Sequence, residues 1–175
     1  DDLEDLGAGL WTAVIRKVKE VNPSTTMEVL IPDFQGRKEL VQKIIDENPE
    51  VISHNLETVE SLSRQIRSKA RYHISLEVLR YVALSGITAK SGIMLGLGEK
   101  EKEVMATMDN LVEAGVKVMT IGQYLQPTLN HMPVSEFIHP DQFEKYREAG
   151  LRKGFAIVES SPLVRSSYHA EKHIL

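Results

Sequence analysis

An amide and a carboxylate lie close together where an apolar, strand-like run ends. Asn55 and Glu57 follow the run at 51–54, and a carboxylate in such a place can accept paired hydrogen bonds from a ribose diol. The alternative is structural, because Asn55 can cap a helix and Glu57 can lie favourably against the positive end of its dipole. The two residues alone leave both interpretations open.

Small residues form a second candidate site between Lys90 and Glu99, in a stretch that contains Gly96-Leu97-Gly98. Glycines let a ligand approach the backbone closely, but they also suit tight packing and a turn. The stretch is not a P-loop, because no Gly-Lys-Ser/Thr ends it. A third candidate is the polar segment at 123–127, whose backbone groups could read an adenine edge or belong to an ordinary loop.

The segment Arg165-Ser166-Ser167-Tyr168-His169 places a cation beside hydroxyl groups, which suits an anion site, although such a string is more often a solvated tail. The six histidines show no HxxxH or HExxH spacing of a metal site, and there is no GxSxG nucleophile elbow. The chain contains no cysteine. Within these residues this excludes disulfides, thiolate nucleophiles and thiolate-held zinc or iron–sulfur clusters.

Five strand-like runs alternate with amphipathic helical stretches. The runs show little polar alternation, which is typical of strands covered on both faces and favours a parallel sheet. The pattern therefore predicts an α/β fold, either an open doubly wound sheet or part of a (β/α) barrel, in which candidate residues at the strand ends share one edge. Strands are predicted at 27–31, 51–54, 88–95, 116–121 and 155–158, and helices at 8–20, 37–47, 58–68, 75–85, 102–114 and 140–153.

Composition limits the partners that we expect. The net charge of −4 argues against a strongly basic nucleic-acid surface. No apolar run approaches the roughly 20 residues that span a bilayer, and the acidic N-terminus lacks a signal-peptide pattern. We therefore expect a single domain over residues 1–175, located in the cytoplasm, that binds neither nucleic acid nor membrane.

Five strings in the chain resemble the lipoyl synthases, a family of radical S-adenosylmethionine enzymes, in order and spacing. They are 29–36, 54–59, 90–99, 120–128 and 162–170. The resemblance implies a partial (β/α)6 barrel, of which this chain would form about four to five βα units. Residues 159–175 would be a C-terminal tail with the Arg-Ser-Ser-Tyr motif.

The resemblance also implies an activity and its cofactors. One [4Fe–4S] cluster would bind S-adenosylmethionine and cleave it reductively to a 5′-deoxyadenosyl radical, which abstracts hydrogens from C6 and C8 of a protein-bound octanoyl group. A second, auxiliary [4Fe–4S] cluster would supply the two sulfur atoms. The implied partners are an octanoylated lipoyl domain of a 2-oxoacid dehydrogenase E2 subunit or the glycine cleavage H protein, and a reductant such as ferredoxin or flavodoxin.

By position, the resemblance assigns most candidate residues to cofactor binding and leaves the catalytic residues unassigned. In the tail, Arg165 belongs to the auxiliary-cluster motif and Ser167 is the implied metal ligand, with Ser166 as its rival. The residues that would surround S-adenosylmethionine are Asn55, Glu57, Lys90, Ser91, Gly92, Gly96, Glu99, Gln123, Tyr124 and Leu125.

One departure from the family decides what the chain can do alone. The two cysteine motifs of the family have no counterpart here, and we expect them upstream of Asp1, so this chain alone should hold no cluster and be inactive. Another sulfur-inserting enzyme of the biotin synthase type is an alternative, against which the Arg-Ser-Ser-Tyr tail argues. A further alternative is a cysteine-free module that only binds lipoyl-domain proteins; cysteine triplets further upstream would favour an enzyme.

Overall fold

The computed structural model describes residues 3–67, 69 and 71–174. Five strands form a parallel sheet in chain order, with β1 and β5 at its two open edges. The predicted parallel α/β sheet is therefore confirmed, and it is not closed into a barrel. The strands are β1 (Glu28–Leu30), β2 (Val51–Ser53), β3 (Thr88–Leu95), β4 (Val118–Gln123) and β5 (Ile157–Ser160).

Six α-helices occur among the described residues at the predicted places, and all but the last have shifted ends. They are α1 (Ala8–Val21), α2 (Lys38–Asp46), α3 (Glu60–Ile66), α4 (Tyr72–Leu84), α5 (Glu101–Glu113) and α6 (Pro140–Lys153). The helix predicted at 58–68 is shorter than expected, and its proposed last residue lies outside the described residues. No helix in the described part of the chain is both long and apolar enough to cross a membrane.

The fourth strand starts two residues later than predicted because the backbone N–H of Val116 is hydrogen-bonded to the last turn of α5. Gly115 adopts a left-handed conformation, φ 86°, and its N–H donates to the carbonyl of Val112. The N–H of Val116 then donates to the carbonyl of Leu111 at 3.0 Å. This is the Schellman pattern that closes a helix, so Val116 belongs to the helix end and β4 begins at Val118.

Pleating divides each strand between two faces of the sheet. Side chains such as Val29, Ile52 and Ile121 pack with the helices in the apolar core. The opposite face, called the inner face below, carries the alternate positions, such as Lys90 and Gly92 of β3. The tail predicted from residue 159 starts later, because residues 159 and 160 belong to β5; the C-terminal tail, residues 162–174, lies on the inner face, where Ser166 and His173 contact Lys90. The sheet therefore has one side for packing and one side available to the tail and to ligands.

A buried histidine ties the end of β2 to its neighbours. His54 Nδ1 lies 2.9 Å from the carbonyl oxygen of Ile31, and Nε2 lies 2.8 Å from Ser75 Oγ. Burial is the main cause that lowers the pKa of His54, because a buried imidazolium lacks hydration. The His54 ring is thus a neutral structural link in the folded chain.

We expect the stability of the chain to fall as the pH drops below the ordinary histidine pKa of about 6.5. The unfolded chain binds the His54 proton more readily than the folded chain does, so acid favours unfolding. The pKa of His173 is lowered in the same way, so it adds to the slope. Urea unfolding at pH 7.5 and 5.5 should show a smaller pH effect in His54→Asn.

The matched control is His73→Asn, since His73 lies on the surface next to Glu60. This variant should retain the full pH dependence. An unchanged pH effect in His54→Asn would mean that His54 takes up its proton as easily in the folded as in the unfolded chain.

Candidate functional site

A cavity of about 510 Å³ opens at the carboxyl edge of the sheet, between the strand exits and the C-terminal tail. Six of the predicted site residues line it, namely Asn55, Glu57, Gly92, Gln123, Leu125 and Arg165. The structure therefore brings together groups from the exits of β2 and β4, from β3 and from the tail. The other lining residues are Leu30, Ile93, Met94, Thr120, Gly122, Gln126, Pro127, Val164 and Ser166.

The backbone of Glu57 is fixed by β3 in an unusual conformation. Its φ is 66°, in the left-handed region that side-chain-bearing residues rarely adopt. The N–H of Glu57 donates to the carbonyl of Gly92 at 3.0 Å, and its carbonyl accepts from the N–H of Met94 at 2.8 Å. Because α3 begins only at Glu60, Glu57 is not a helix-start charge. A strained backbone held by two strand hydrogen bonds is typical of a functional position.

At the exit of β2, Asn55 has an unpaired side-chain oxygen and the carboxylate of Glu57 is largely removed from water. Asn55 Oδ1 is buried and has no hydrogen-bond partner among the described residues. Burial is the main cause that raises the pKa of Glu57, while the side chain of Asn55 and the charge of Arg67 act in the opposite direction. Buried polar atoms are normally paired, so both side chains are suited to receive hydroxyl donors from a ligand.

Gly92 keeps the floor of the cavity open. A Cβ at this position would lie 2.4 Å from Thr120 Oγ1 and 3.2 Å from Asn55 Oδ1. Thr120 is buried on β4, and a β-branched side chain has little rotational freedom to move aside. A side chain at position 92 would therefore clash with β4 and also fill the space in front of Asn55.

We expect Gly92→Ala to lower the free energy of unfolding by about 1–3 kcal/mol, the usual cost of overpacking. Thermal and urea unfolding of the chain measure this. Lys117→Ala is the control, because Lys117 is exposed and lies just before β4, where its substitution creates no clash. If Gly92→Ala is as stable as Lys117→Ala, Thr120 can yield and the cavity floor is less rigid than the distances indicate.

Gly96 and Glu99 build the turn after β3 rather than the cavity wall. The carboxylate of Glu99 accepts from the N–H groups of Gly96, at 2.7 Å, and of Leu97, at 2.9 Å. Gly96 has φ 97°, and a Cβ there would lie 2.3 Å from both Gln123 Nε2 and the carbonyl oxygen of Glu136. The turn therefore requires Gly96 and Glu99 for its backbone conformation, and neither residue lines the cavity.

Gln123, Tyr124 and Leu125, at the end of β4, differ in whether their polar groups are already hydrogen-bonded within the protein. The Gln123 side chain donates to the carbonyls of Tyr124 and Glu136 and accepts from the N–H of Ile138, so its amide is already paired. The Tyr124 hydroxyl donates to the carbonyl of Met132 at 2.7 Å. Leu125, by contrast, is half exposed, and its backbone makes no hydrogen bond with a described residue. Of the three, Leu125 has backbone groups available to an adenine edge.

Lys90 and Ser91 lie outside the lining of the cavity. The Lys90 ammonium is buried on the inner face and pairs with Glu28. Ser91 is also buried, and its hydroxyl accepts from the backbone of Leu56. Neighbouring strand residues point to opposite faces, so these two residues have different surroundings.

In the tail, Arg165 and Ser166 line the cavity and Ser167 does not. The Arg165 guanidinium donates to the carbonyl of Val164 at 2.7 Å. Ser167 is exposed. The structure thus separates the two serines, with Ser166 against the cavity and Ser167 towards solvent.

Sequence reasoning missed several cavity residues that strand alternation could have found. Thr120 and Gly122 occupy alternate positions of β4, two and four residues beyond Val118, and both line the cavity. Arg67 was missed as well, although its charge opposes the rise in the pKa of Glu57. Arg67 lies at the end of α3 and donates to Ser75 Oγ at 3.1 Å, so only the tertiary structure brings it near the site.

The cavity residues fit a nucleoside, whereas the chain does not fit an iron–sulfur cluster on its own. An unpaired amide oxygen, a desolvated carboxylate and a small-residue floor suit a ribose and a flat base. Cluster thiolates are missing because the chain has no cysteine. In the described part of the chain, no three His, Asp or Glu side chains gather to hold a metal ion.

Known proteins resemble the chain in sequence over most of its length. The sequence profile of the Radical SAM superfamily matches residues 3–111. The chain is 64% identical over 174 residues to a lipoyl synthase of Bacteroides fragilis, covering 99% of this chain and 60% of that protein. It is 55% identical over 175 residues to a mitochondrial lipoyl synthase of Nematostella vectensis, covering 99% of this chain and 60% of that protein. The chain thus spans about three-fifths of the length of these relatives.

Solved structures share the fold at low sequence identity. A domain of pyruvate-formate lyase-activating enzyme from Bacteroides vulgatus superimposes with a TM-score of 0.68 at 12% identity, covering 90% of this chain and 95% of that domain. Methylornithine synthase gives a TM-score of 0.66 at 14% identity, covering 90% of this chain and 54% of that chain. These likenesses support the fold alone, an open α/β sheet of the partial-barrel type.

Proposed function

Because the chain belongs to the radical SAM superfamily, we propose that its cavity binds the nucleoside of S-adenosylmethionine within a lipoyl synthase. The reaction is the insertion of two sulfur atoms at C6 and C8 of a protein-bound octanoyl group. The single observation that carries the proposal is the similarity to lipoyl synthases over nearly the whole chain, at 64% identity to that of Bacteroides fragilis. The unpaired Oδ1 of Asn55 and the desolvated carboxylate of Glu57 support placing the nucleoside at the exit of β2.

In this proposal the chain's own residues hold the nucleoside. Glu57 accepts hydrogen bonds from the ribose diol, and Asn55 Oδ1, which lacks a partner among the described residues, accepts a further one. Gly92 admits the ligand to the floor, and the free backbone of Leu125 faces the adenine edge. Burial strengthens these hydrogen bonds, since the same contacts are weaker in water.

The cofactors supply the radical chemistry and the sulfur, and the protein supplies position and shielding. With a [4Fe–4S] cluster, S-adenosylmethionine provides the hydrogen-abstracting radical, and an auxiliary [4Fe–4S] cluster provides sulfur. These 175 residues contain no thiolate for either cluster. We therefore propose that the cysteine motifs belong to a longer protein in which this chain functions. Ser167 and Arg165 remain the proposed contributions of the tail to the auxiliary cluster.

The proposed partners follow from the same reaction. The substrate is an octanoylated protein, and a reductant is required for each cleavage. The finer proposals are a lipoyl domain of a 2-oxoacid dehydrogenase E2 subunit or the glycine cleavage H protein as substrate, and ferredoxin or flavodoxin as reductant.

A chimera tests the proposal in cells. This chain replaces the matching 174 residues of the Bacteroides fragilis lipoyl synthase, whose remaining residues complete the enzyme. We expect the chimera to let a bacterial strain without its own lipoyl synthase grow without added lipoate. Growth of a biotin-requiring strain instead would favour a biotin synthase type of enzyme, and growth of neither strain would contradict the proposal.

A further inference from the structure

A buried ion pair lies on the inner face, outside the cavity. The Lys90 side chain has no exposed surface, and its Nζ lies 2.7 and 2.8 Å from the two carboxylate oxygens of Glu28. Glu28 is on β1 and Lys90 on β3, with β2 between them. Burying an ammonium group is costly unless several acceptors surround it, so the hydrogen-bond acceptors around Lys90 Nζ stabilise its buried charge.

The remaining partners of Lys90 come from the C-terminal tail. Its Nζ lies 2.5 Å from the carbonyl oxygen of Ser166 and 3.0 Å from Nδ1 of His173. An ammonium group has three N–H donors, and here four acceptor atoms in three residues, Glu28, Ser166 and His173, surround it. His173 is fully buried, although it is the second-last described residue of the chain. One lysine therefore contacts the tail at two points, seven residues apart in sequence.

Apolar packing holds the tail only weakly. Val164 is its buried apolar side chain, whereas Leu163 is 79% and Tyr168 is 41% exposed. The hydrogen bonds within the tail are short turns, such as that from the N–H of Tyr168 to the carbonyl of Arg165 at 2.9 Å. Such turns shape the tail without attaching it to the sheet, so its attachment depends on a few polar contacts and on Val164.

We propose that Lys90, oriented by Glu28, is a positioning residue that docks the C-terminal tail on the inner face by binding the Ser166 carbonyl and the His173 ring. Docking holds Arg165 and Ser166 at the cavity wall. The His173 ring is neutral, and its Nδ1 accepts a hydrogen bond from the Lys90 ammonium group. The proposal concerns the folded chain itself and does not depend on a bound cofactor or on the proposed reaction.

Hydrogen–deuterium exchange on the 175-residue chain tests the docking. In His173→Leu the ring acceptor is lost, and amides of the tail should exchange roughly tenfold faster or more, while those of β3 and β4 keep their protection. His173→Asn should restore much of the protection, because Asn Oδ1 can accept from Lys90 in place of Nδ1. A variant with both Glu28→Leu and Lys90→Met should release the tail without leaving a buried charge.

The matched control is His169→Leu, since His169 lies in the same tail but its ring contacts neighbours within the tail, Glu171 and the ring of Tyr168, and not Lys90. This variant should exchange as the unmodified chain does. Unchanged tail protection in both His173→Leu and the double variant would overturn the proposal. So would a parallel loss of protection in the tail and in β3, because the contact would then serve global stability and not docking.

Discussion

Ser167→Ala is expected to abolish sulfur insertion in the chimera while cleavage of S-adenosylmethionine continues. The family motif makes Ser167 the proposed ligand of the auxiliary cluster. Ser167 is exposed, so its hydroxyl is accessible to a metal supplied from outside this chain. An alkoxide is a harder and more basic ligand than a thiolate, which makes it easier to protonate and displace. Such a ligand suits a cluster that must open to release sulfide.

The measurement compares two products, 5′-deoxyadenosine and the sulfur-containing octanoyl peptide, together with the iron content. Ser166→Ala is the matched control. It is a stringent control because Ser166 lines the cavity and is the rival ligand. It should behave as the unmodified chimera, since the contact of Ser166 with Lys90 uses its backbone carbonyl. If Ser166→Ala loses insertion and Ser167→Ala does not, the assignment is wrong by one residue; if neither loses it, the tail supplies no ligand.

Glu57→Ala should weaken binding of S-adenosylmethionine by the chimera at least roughly tenfold. The reason is the loss of one or two charge-assisted hydrogen bonds to the ribose, each worth about 1.5–3 kcal/mol. Alanine, like glutamate, has a Cβ, so the left-handed backbone at φ 66° costs a similar conformational free energy in the variant and in the unmodified chimera. Equilibrium binding of S-adenosylmethionine, beside the melting temperature, separates binding from folding.

Glu60→Ala is the control for this prediction, because Glu60 begins α3 and lies at the surface beside His73. It should cost only about 0.3–1 kcal/mol of stability, through the helix dipole, and leave the affinity unchanged. If Glu57→Ala instead keeps its affinity and melts at a lower temperature, Glu57 supports the fold and does not hold the ribose.

Much of the fold was predictable because the strands and helices follow simple periodicities. The apolar runs at 51–54 and 88–95 sit close to β2 and β3, and the helix predicted at 140–153 has those bounds. The errors lie at the ends of helices and strands, where contacts with other parts of the chain determine the first and last residue. Val116 looks like the first residue of a strand, but its N–H is used by the carbonyl of Leu111 at the end of α5.

The site was predictable only in part, since sequence strings do not show which face a residue occupies. Consecutive residues such as Lys90 and Ser91 were treated alike, although a pleated strand turns them to opposite faces. Gln123 looked available for binding, and only the loop at 136–138 reveals that its amide is already paired. The contact of Lys90 with His173 joins residues 83 positions apart, which no local pattern predicts.

The most direct test of the central claim is the product formed by the purified chimera from an octanoyl-lysine peptide, S-adenosylmethionine and a reductant. Mass spectrometry should show a peptide in which two hydrogens, at C6 and C8, have been replaced by two sulfur atoms. The contradicting result would be an octanoyl peptide that stays unchanged, with the clusters present and S-adenosylmethionine cleaved.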